Sequence, residues 1–228
     1  MSDPVISQWV YAAIDGDQDA FAEIVHTFQD GVYNLCYRML SESVEAEDAA
    51  QEVFLRAYSN LQRYDHARSF KTWLLSIASN HCIDRLRKRR MTLVSIDESI
   101  PETLALASDE PLPEQAVLYH DRSREIQHLL DELAPDYRVA VVLRYWYDYS
   151  YAEIAEIMDA TESAVKSRLH RARRILAEKI APGSLAEKDE IGDEEEVIEN
   201  RLQRARGRIA EPIEPKSGDR ASSLREGV

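Results

Sequence analysis

The cations of this chain are outnumbered, and they are grouped. Lys and Arg total 28 against 42 Asp and Glu, for a net charge of −14. Yet Arg85, Arg87, Lys88, Arg89 and Arg90 fall in one short run, and Lys166, Arg168, Arg171, Arg173 and Arg174 in another. Cations at that density suit phosphate oxygens, because each neutralised phosphate releases condensed counterions. In and just before the second run, Ser163, Lys166 and Ser167, with Glu162, could meet base edges, while Arg168, Arg171, Arg173 and Arg174 suit phosphates. Either run could instead be a solvated helix face, and cations at a helix end also suit its negative pole. Other chemistry has less support. Cys36 and Cys82 lack metal-ligand spacing, which predicts two small buried thiols rather than a zinc site or a disulfide framework. There is no Gly-rich phosphate loop, nucleophile elbow or HExxH motif. No catalytic residue, metal or cofactor is expected.

The second run needs a particular scaffold. Tyr151, Ile154, Ala155 and Met158 share one apolar stripe. A break follows at Asp159-Ala160, and Thr161 can cap a second helix. On that helix Val165, Leu169, Ala172 and Leu176 point inward, leaving Ser163, Lys166, Ser167, His170, Arg171, Arg173 and Arg174 outside. Two short helices, a tight turn and a basic outer face make a helix-turn-helix, whose second helix fits the major groove of B-DNA.

The rest of the chain reads as helices too. Residues 18–40 carry an apolar stripe from Phe21 to Met39. Ser43 can cap the next helix, whose inner stripe is Ala50, Val53, Phe54, Ala57, Tyr58 and Leu61 and whose outer face holds Asp48, Gln51, Glu52 and Arg56. A third helix from near Ser69 to about Arg90 buries Leu74, Ile77, Ala78 and Cys82, and shows Ser76, Asn80, Asp84 and Arg87 to solvent. These patterns predict an all-α protein of two small helical domains: 5–91, a flexible linker at 92–120 containing Pro101, Pro111 and Pro113, and 121–181. A charged tail at 182–228 is expected to be disordered. Alternatively, its acidic part covers the basic helix 162–176. The N-terminus has no secretory pattern, and no apolar run approaches the ~18 residues of a membrane helix, so a cytoplasmic protein with no membrane insertion is expected.

EDAAQEVFLRAY (47–58), FKTWLLSIASNHCIDRLRKRR (70–90) and the helix-turn-helix at 151–176, in that order, resemble the extracytoplasmic-function (ECF) sigma factors, group 4 of the sigma-70 family. LDELAPDYRVAVVLRYWYDYSYAEIAEIM (130–158) resembles the lead-in to that family's helix-turn-helix. The resemblance covers about 10–180. It implies a region 2 and a region 4 that direct RNA polymerase core to promoters. Asp48, Gln51, Glu52 and Arg56 would then meet the clamp helices of the largest polymerase subunit. Phe70, Trp73, Asn80, Asp84, Arg85, Arg87 and Lys88 would serve the −10 element and its melted non-template strand, with Asn80 near a flipped base. Phe70 and Trp73, spaced i, i+3, suit a core equally well. Glu162, Ser163, Lys166, Ser167, Arg168, His170, Arg171 and Arg174 would serve the double-stranded −35 element. The two elements lie two to three DNA turns apart, so the domains would spread widely over a loose tether, and the acidic linker would follow the RNA exit path. An anti-sigma factor, which can hold such proteins at the membrane, is the implied regulator. The competing reading is a stand-alone helix-turn-helix regulator, although residues 5–91 show no βαβ pattern for a ligand or receiver domain.

Overall fold

The computed structural model describes residues 4–95, 124 and 126–180; the expectations for most of the linker and for the tail lie outside these residues. Among the described residues there are helices and turns and no strand. The N-terminal bundle comprises α1 (Pro4–Ile14), α2 (Gln18–Leu40), α3 (Ser43–Asn60), a 3-10 turn at Leu61–Arg63 and α4 (Phe70–Ser95). The C-terminal bundle comprises a helical stretch at 126–131, then α5 (Pro135–Tyr145), α6 (Tyr151–Ile157) and α7 (Glu162–Ile180).

Local chemistry sets the boundaries. The Asp17 carboxylate accepts from the backbone N–H of Asp19 (2.9 Å) and Ala20 (3.1 Å), so α2 begins beside it. Ser41, at φ 70°, turns the chain out of α2 in the left-handed conformation. The cap of α3 is Glu42 rather than Ser43. Its carboxylate accepts from Glu45 N at 3.2 Å, and Ser43 is the first helical residue. α4 runs to Ser95, a few residues into the stretch read as linker. A reciprocal Ser150–Glu153 capping box starts α6. Asp159 at φ 47° makes the tight turn, and Thr161 Oγ1 accepts from Ala164 N at 3.2 Å to start α7.

The apolar stripes meet as expected except at Tyr58, expected on the inner stripe of α3 but 44 % exposed, and at Ile77, which is only half-buried. Ile24, Phe28, Val32, Leu35 and Met39 of α2 pack on Val53 and Ala57 of α3 and on Leu74, Ala78 and Cys82 of α4. Cys36 and Cys82 are both free thiols in this core. In the other bundle Val165, Leu169, Ala172 and Leu176 are at most 1 % exposed. α5 is buried nearly all round, from Val139 to Leu143.

The two bundles are not loosely tethered. They share a buried polar junction at the C-terminal end of α2. Arg138, 5 % exposed, donates from Nη1 to the Met39 carbonyl (2.6 Å) and to Asp131 Oδ1 (2.9 Å). Ser41 also donates to Asp131. Gln127 Nε2 donates to Arg38 O (3.0 Å) and Ser41 Oγ (2.9 Å). The Arg38 guanidinium, also buried, lies 5.0 Å from the Trp146 ring centre. Tyr147 donates to the Gly31 carbonyl. Burial pushes both guanidinium pKa values down, which marks the cost of holding these charges out of water. Replacing Arg138 by Ala takes the donor from the buried Met39 carbonyl, while the part-exposed Asp131 keeps Ser41, and should cost the junction about 1–3 kcal/mol. The expected outcome is a larger radius of gyration by small-angle X-ray scattering, with helix content unchanged by circular dichroism.

Candidate nucleic-acid and polymerase interfaces

Three polar faces remain outside the cores, and helical spacing builds each. On α3, Ala46, Ala49, Ala50, Val53 and Ala57 point inward, which turns Asp48, Gln51 and Arg56 to solvent. Glu52 is half-buried beside them. Arg56 Nε donates to Glu52 Oε1 at 2.7 Å, and this bond holds the Glu52 carboxyl below the usual carboxylate range. On α7, Glu162, Ser163, Lys166, Ser167, Arg171 and Arg174 are exposed, whereas Arg168 and His170 are half-buried. Ser163, Lys166 and Ser167 lie in the first two turns, where a groove-bound helix meets base edges.

Two tyrosines, Tyr137 and the stripe residue Tyr151, contact this face. Tyr137 on α5 lies with its hydroxyl 3.4 Å from Arg171 Nη1. The Tyr151 ring, at the start of α6, lies 5.9 Å from Lys166 Nζ and 5.5 Å from the Arg144 guanidinium. Tyr137 stands between the charged residues Asp136 and Arg138, and Tyr151 falls on the apolar stripe of α6, so nothing local marks either as a partner of the basic face.

The third set is on α4. Asn80, Asp84, Arg87 and Lys88 are exposed and Arg85 is half-buried. Arg85 donates to Glu45 O (3.4 Å), and Arg89 pairs with the Glu45 carboxylate (3.4 Å). Arg87 Nη2 donates to both Asp136 oxygens, at 3.2 and 3.0 Å, so a carboxylate of the C-terminal bundle holds one proposed phosphate ligand. Arg68 makes a parallel link, from Nε to Glu156 Oε1 at 2.6 Å. Lys71 lies 5.7 Å from the Tyr149 ring. Phe70 corrects an expectation. It is 2 % exposed and packs on Phe28, Tyr64 and Trp73, with ring centres 5.3–5.6 Å apart, so it serves the core and cannot meet a base here. Trp73 is half-buried in the same cluster. Among the described residues no group of His, Cys, Asp or Glu could hold a metal, and no helix is long and apolar enough to cross a membrane.

Comparison with known proteins points one way. Residues 24–92 match the family model Sigma-70 region 2, and residues 123–176 match Sigma-70, region 4. The ECF RNA polymerase sigma factor SigW of Bacillus subtilis is 42% identical over 170 residues, covering 72% of this chain and 91% of that protein. The ECF RNA polymerase sigma-E factor of Escherichia coli is 33% identical, covering 73% and 90%. Among solved structures, CnrH in complex with the cytosolic domain of CnrY shares the fold at a TM-score of 0.57 and 21% identity, covering 77% of this chain and 97% of that one.

His81 yields a pH test. It is 9 % exposed beside Asn80, and its Nε2 has no hydrogen-bond partner. Burial, with Arg56 and Arg85 nearby, pushes its pKa below the ordinary value, against weaker opposition from Glu52 and Asp84. The unfolded chain therefore takes up this proton first. The stability contributed is complete above about pH 6.5 and falls as the pH drops below it. Urea midpoints at pH 7.5 and 5.5 should differ less in His81→Gln than in the parent protein.

Proposed function

The chain belongs to the ECF RNA polymerase sigma factors of the sigma-70 family, and from that premise we propose that it joins polymerase core through α3, reads −35 DNA with α7 and opens −10 DNA with α4. One observation carries the reading: two well-packed bundles each leave a polar helix face unburied, Asp48–Gln51–Arg56 on one and Ser163–Lys166–Ser167–Arg171 on the other.

On this reading Asp48, Gln51, Glu52 and Arg56 meet the clamp helices of the largest subunit. Ser163, Lys166 and Ser167 approach base edges in the major groove, with Glu162 at the helix start, and Arg168, His170, Arg171 and Arg174 follow the phosphates. Asn80 and Asp84 receive the extruded −10 base, whose unstacking costs a few kcal/mol, while Arg85, Arg87 and Lys88 hold the separated strand. Trp73 borders it.

The closed junction adds a step. The −10 and −35 elements lie roughly two to three helical turns apart at about 34 Å each, far more than the packed bundles span. Arg87 must exchange Asp136 for a phosphate, and Arg68 must leave Glu156. Residues 92–120, extended at about 3.3 Å each, allow on the order of 90 Å of separation. Docking on core opens the protein and fixes the spacing of its two DNA contacts, which raises the effective concentration of the second once the first forms. The free protein therefore binds promoter DNA weakly. A protein that grips the closed form acts as an anti-sigma factor, and the pair works in the cytoplasm or at a membrane that anchors the partner.

The test is transcription in vitro with purified bacterial core polymerase on a genomic promoter library. Discrete new starts, each preceded by two motifs at fixed spacing, are expected. No new starts, with specific DNA retarded by the protein alone, would instead identify a stand-alone helix-turn-helix regulator. Lys166→Ala should weaken promoter binding by about 1–3 kcal/mol and relax preference at one −35 position, whereas Arg171→Ala should lower the salt slope by about one without changing preference.

A further inference from the structure

Between α2 and α3 the N-terminal bundle leaves an apolar groove open. Phe21, Val25, Phe54, Leu55 and Tyr58 line a hollow of about 540 Å³ with Gln18 and Gln51 at its edge. Leu55 is 64 % exposed and Tyr58 44 %, although Tyr58 meets Phe21 edge-on at 4.8 Å. Apolar surface gathered in this way favours a docked partner over water. The surroundings are acidic. Asp15, Asp17 and Asp19 are exposed at the start of α2, as are Glu47 and Asp48 on α3, and the nearby cation Arg56 is paired with Glu52. The fitting occupant is a helix with an apolar stripe and cations beside it.

The chain carries such a segment beyond α7. Ile198, Leu202, Ala205 and Ile209 recur at intervals of four, three and four residues, and Arg201, Arg204, Arg206 and Arg208 lie between them. We propose that residues 197–209 dock as a helix in the α2–α3 groove of their own chain, with Ile198, Leu202 and Ile209 on the apolar floor and the arginines against the acidic rim. The reach is sufficient. Residues 181–196, extended at about 3.3 Å each, span on the order of 50 Å. Lys179, near the end of α7, pairs with Glu132, the neighbour of the junction residue Asp131. From Arg38 at that junction to Phe21 in the groove is 17 residues along α2, about 25 Å. Gln51 belongs both to the groove and to the face assigned to polymerase. The docked segment and the polymerase therefore compete, so the tail restrains the factor. The competition rests on the docking role proposed for α3; the contact itself does not.

A photo-cross-linking residue in place of Leu55 tests the contact in the full-length protein. Irradiation of dilute protein should join position 55 to a peptide from 197–209 within the monomer. The double variant Ile198→Asp, Leu202→Asp should lose that product and bind polymerase core about tenfold more tightly. A cross-link confined to dimers, or to peptides outside 197–209, overturns the contact. The expected cross-link with core affinity unchanged in the double variant overturns the competition. Absence of core binding by both proteins would overturn the sigma reading instead, while the cross-link still decides the contact.

Discussion

A guanidinium buried between two helical bundles must find oxygen partners or drive the bundles apart. Arg138 finds them on both sides, the Met39 carbonyl at the end of α2 and the Asp131 carboxylate of its own bundle. Much else follows from that placement. It fixes α5 against α2, which brings Asp136 to Arg87 and Glu156 to Arg68. It also buries Arg38 and Gln127, so the junction is held by groups that water could hydrate equally well. Polar junctions of this kind separate more readily than apolar cores, because their hydrogen bonds can be exchanged for others. The function proposed above uses that property: the chain is compact when free and spread when bound, with its two halves folded in both states.

Electrostatics leads to the same division. The chain is acidic overall, and its cations concentrate on α4 and α7. In the closed form two of the α4 cations already face carboxylates: Arg87 on Asp136 and Arg89 on Glu45. On the proposed reading, phosphates would take over the places of those carboxylates on DNA. The exchange replaces one anion by another, so its cost is small beside the counterion release that accompanies binding. The α7 face has no such cover from Asp136 or Glu156, and Tyr137 and Tyr151 contact its cations.

Much of this was legible in the residues. The inward stripe of α7 reads directly from a 3.6-residue period, because Val165, Leu169, Ala172 and Leu176 all lie buried in the apolar core. The turn at Asp159 and the Thr161 cap follow from local hydrogen bonding. The junction was not legible, because Arg138, Gln127 and Arg38 are residue types that normally face water. A trace was present in Val139–Leu143, a run apolar on every side, which requires cover on every side and so a second body against α5. Phe70 illustrates the opposite failure. Its spacing from Trp73 suits base stacking and core packing alike, and only the positions of Phe28 and Tyr64 settle it for the core. At α3, Glu42 displaced Ser43 as cap by one residue, within the range that side-chain length allows.

The central claim is that one chain is closed when free and open on the promoter. The direct measurement is the distance between fluorophores at Ser59 on α3 and Glu178 on α7, both exposed, read by single-molecule energy transfer. The account predicts one short distance in the free protein and a distance longer by tens of ångströms in the complex with core polymerase and promoter DNA. An unchanged short distance in a transcribing complex, or a long one in the free protein, would contradict it.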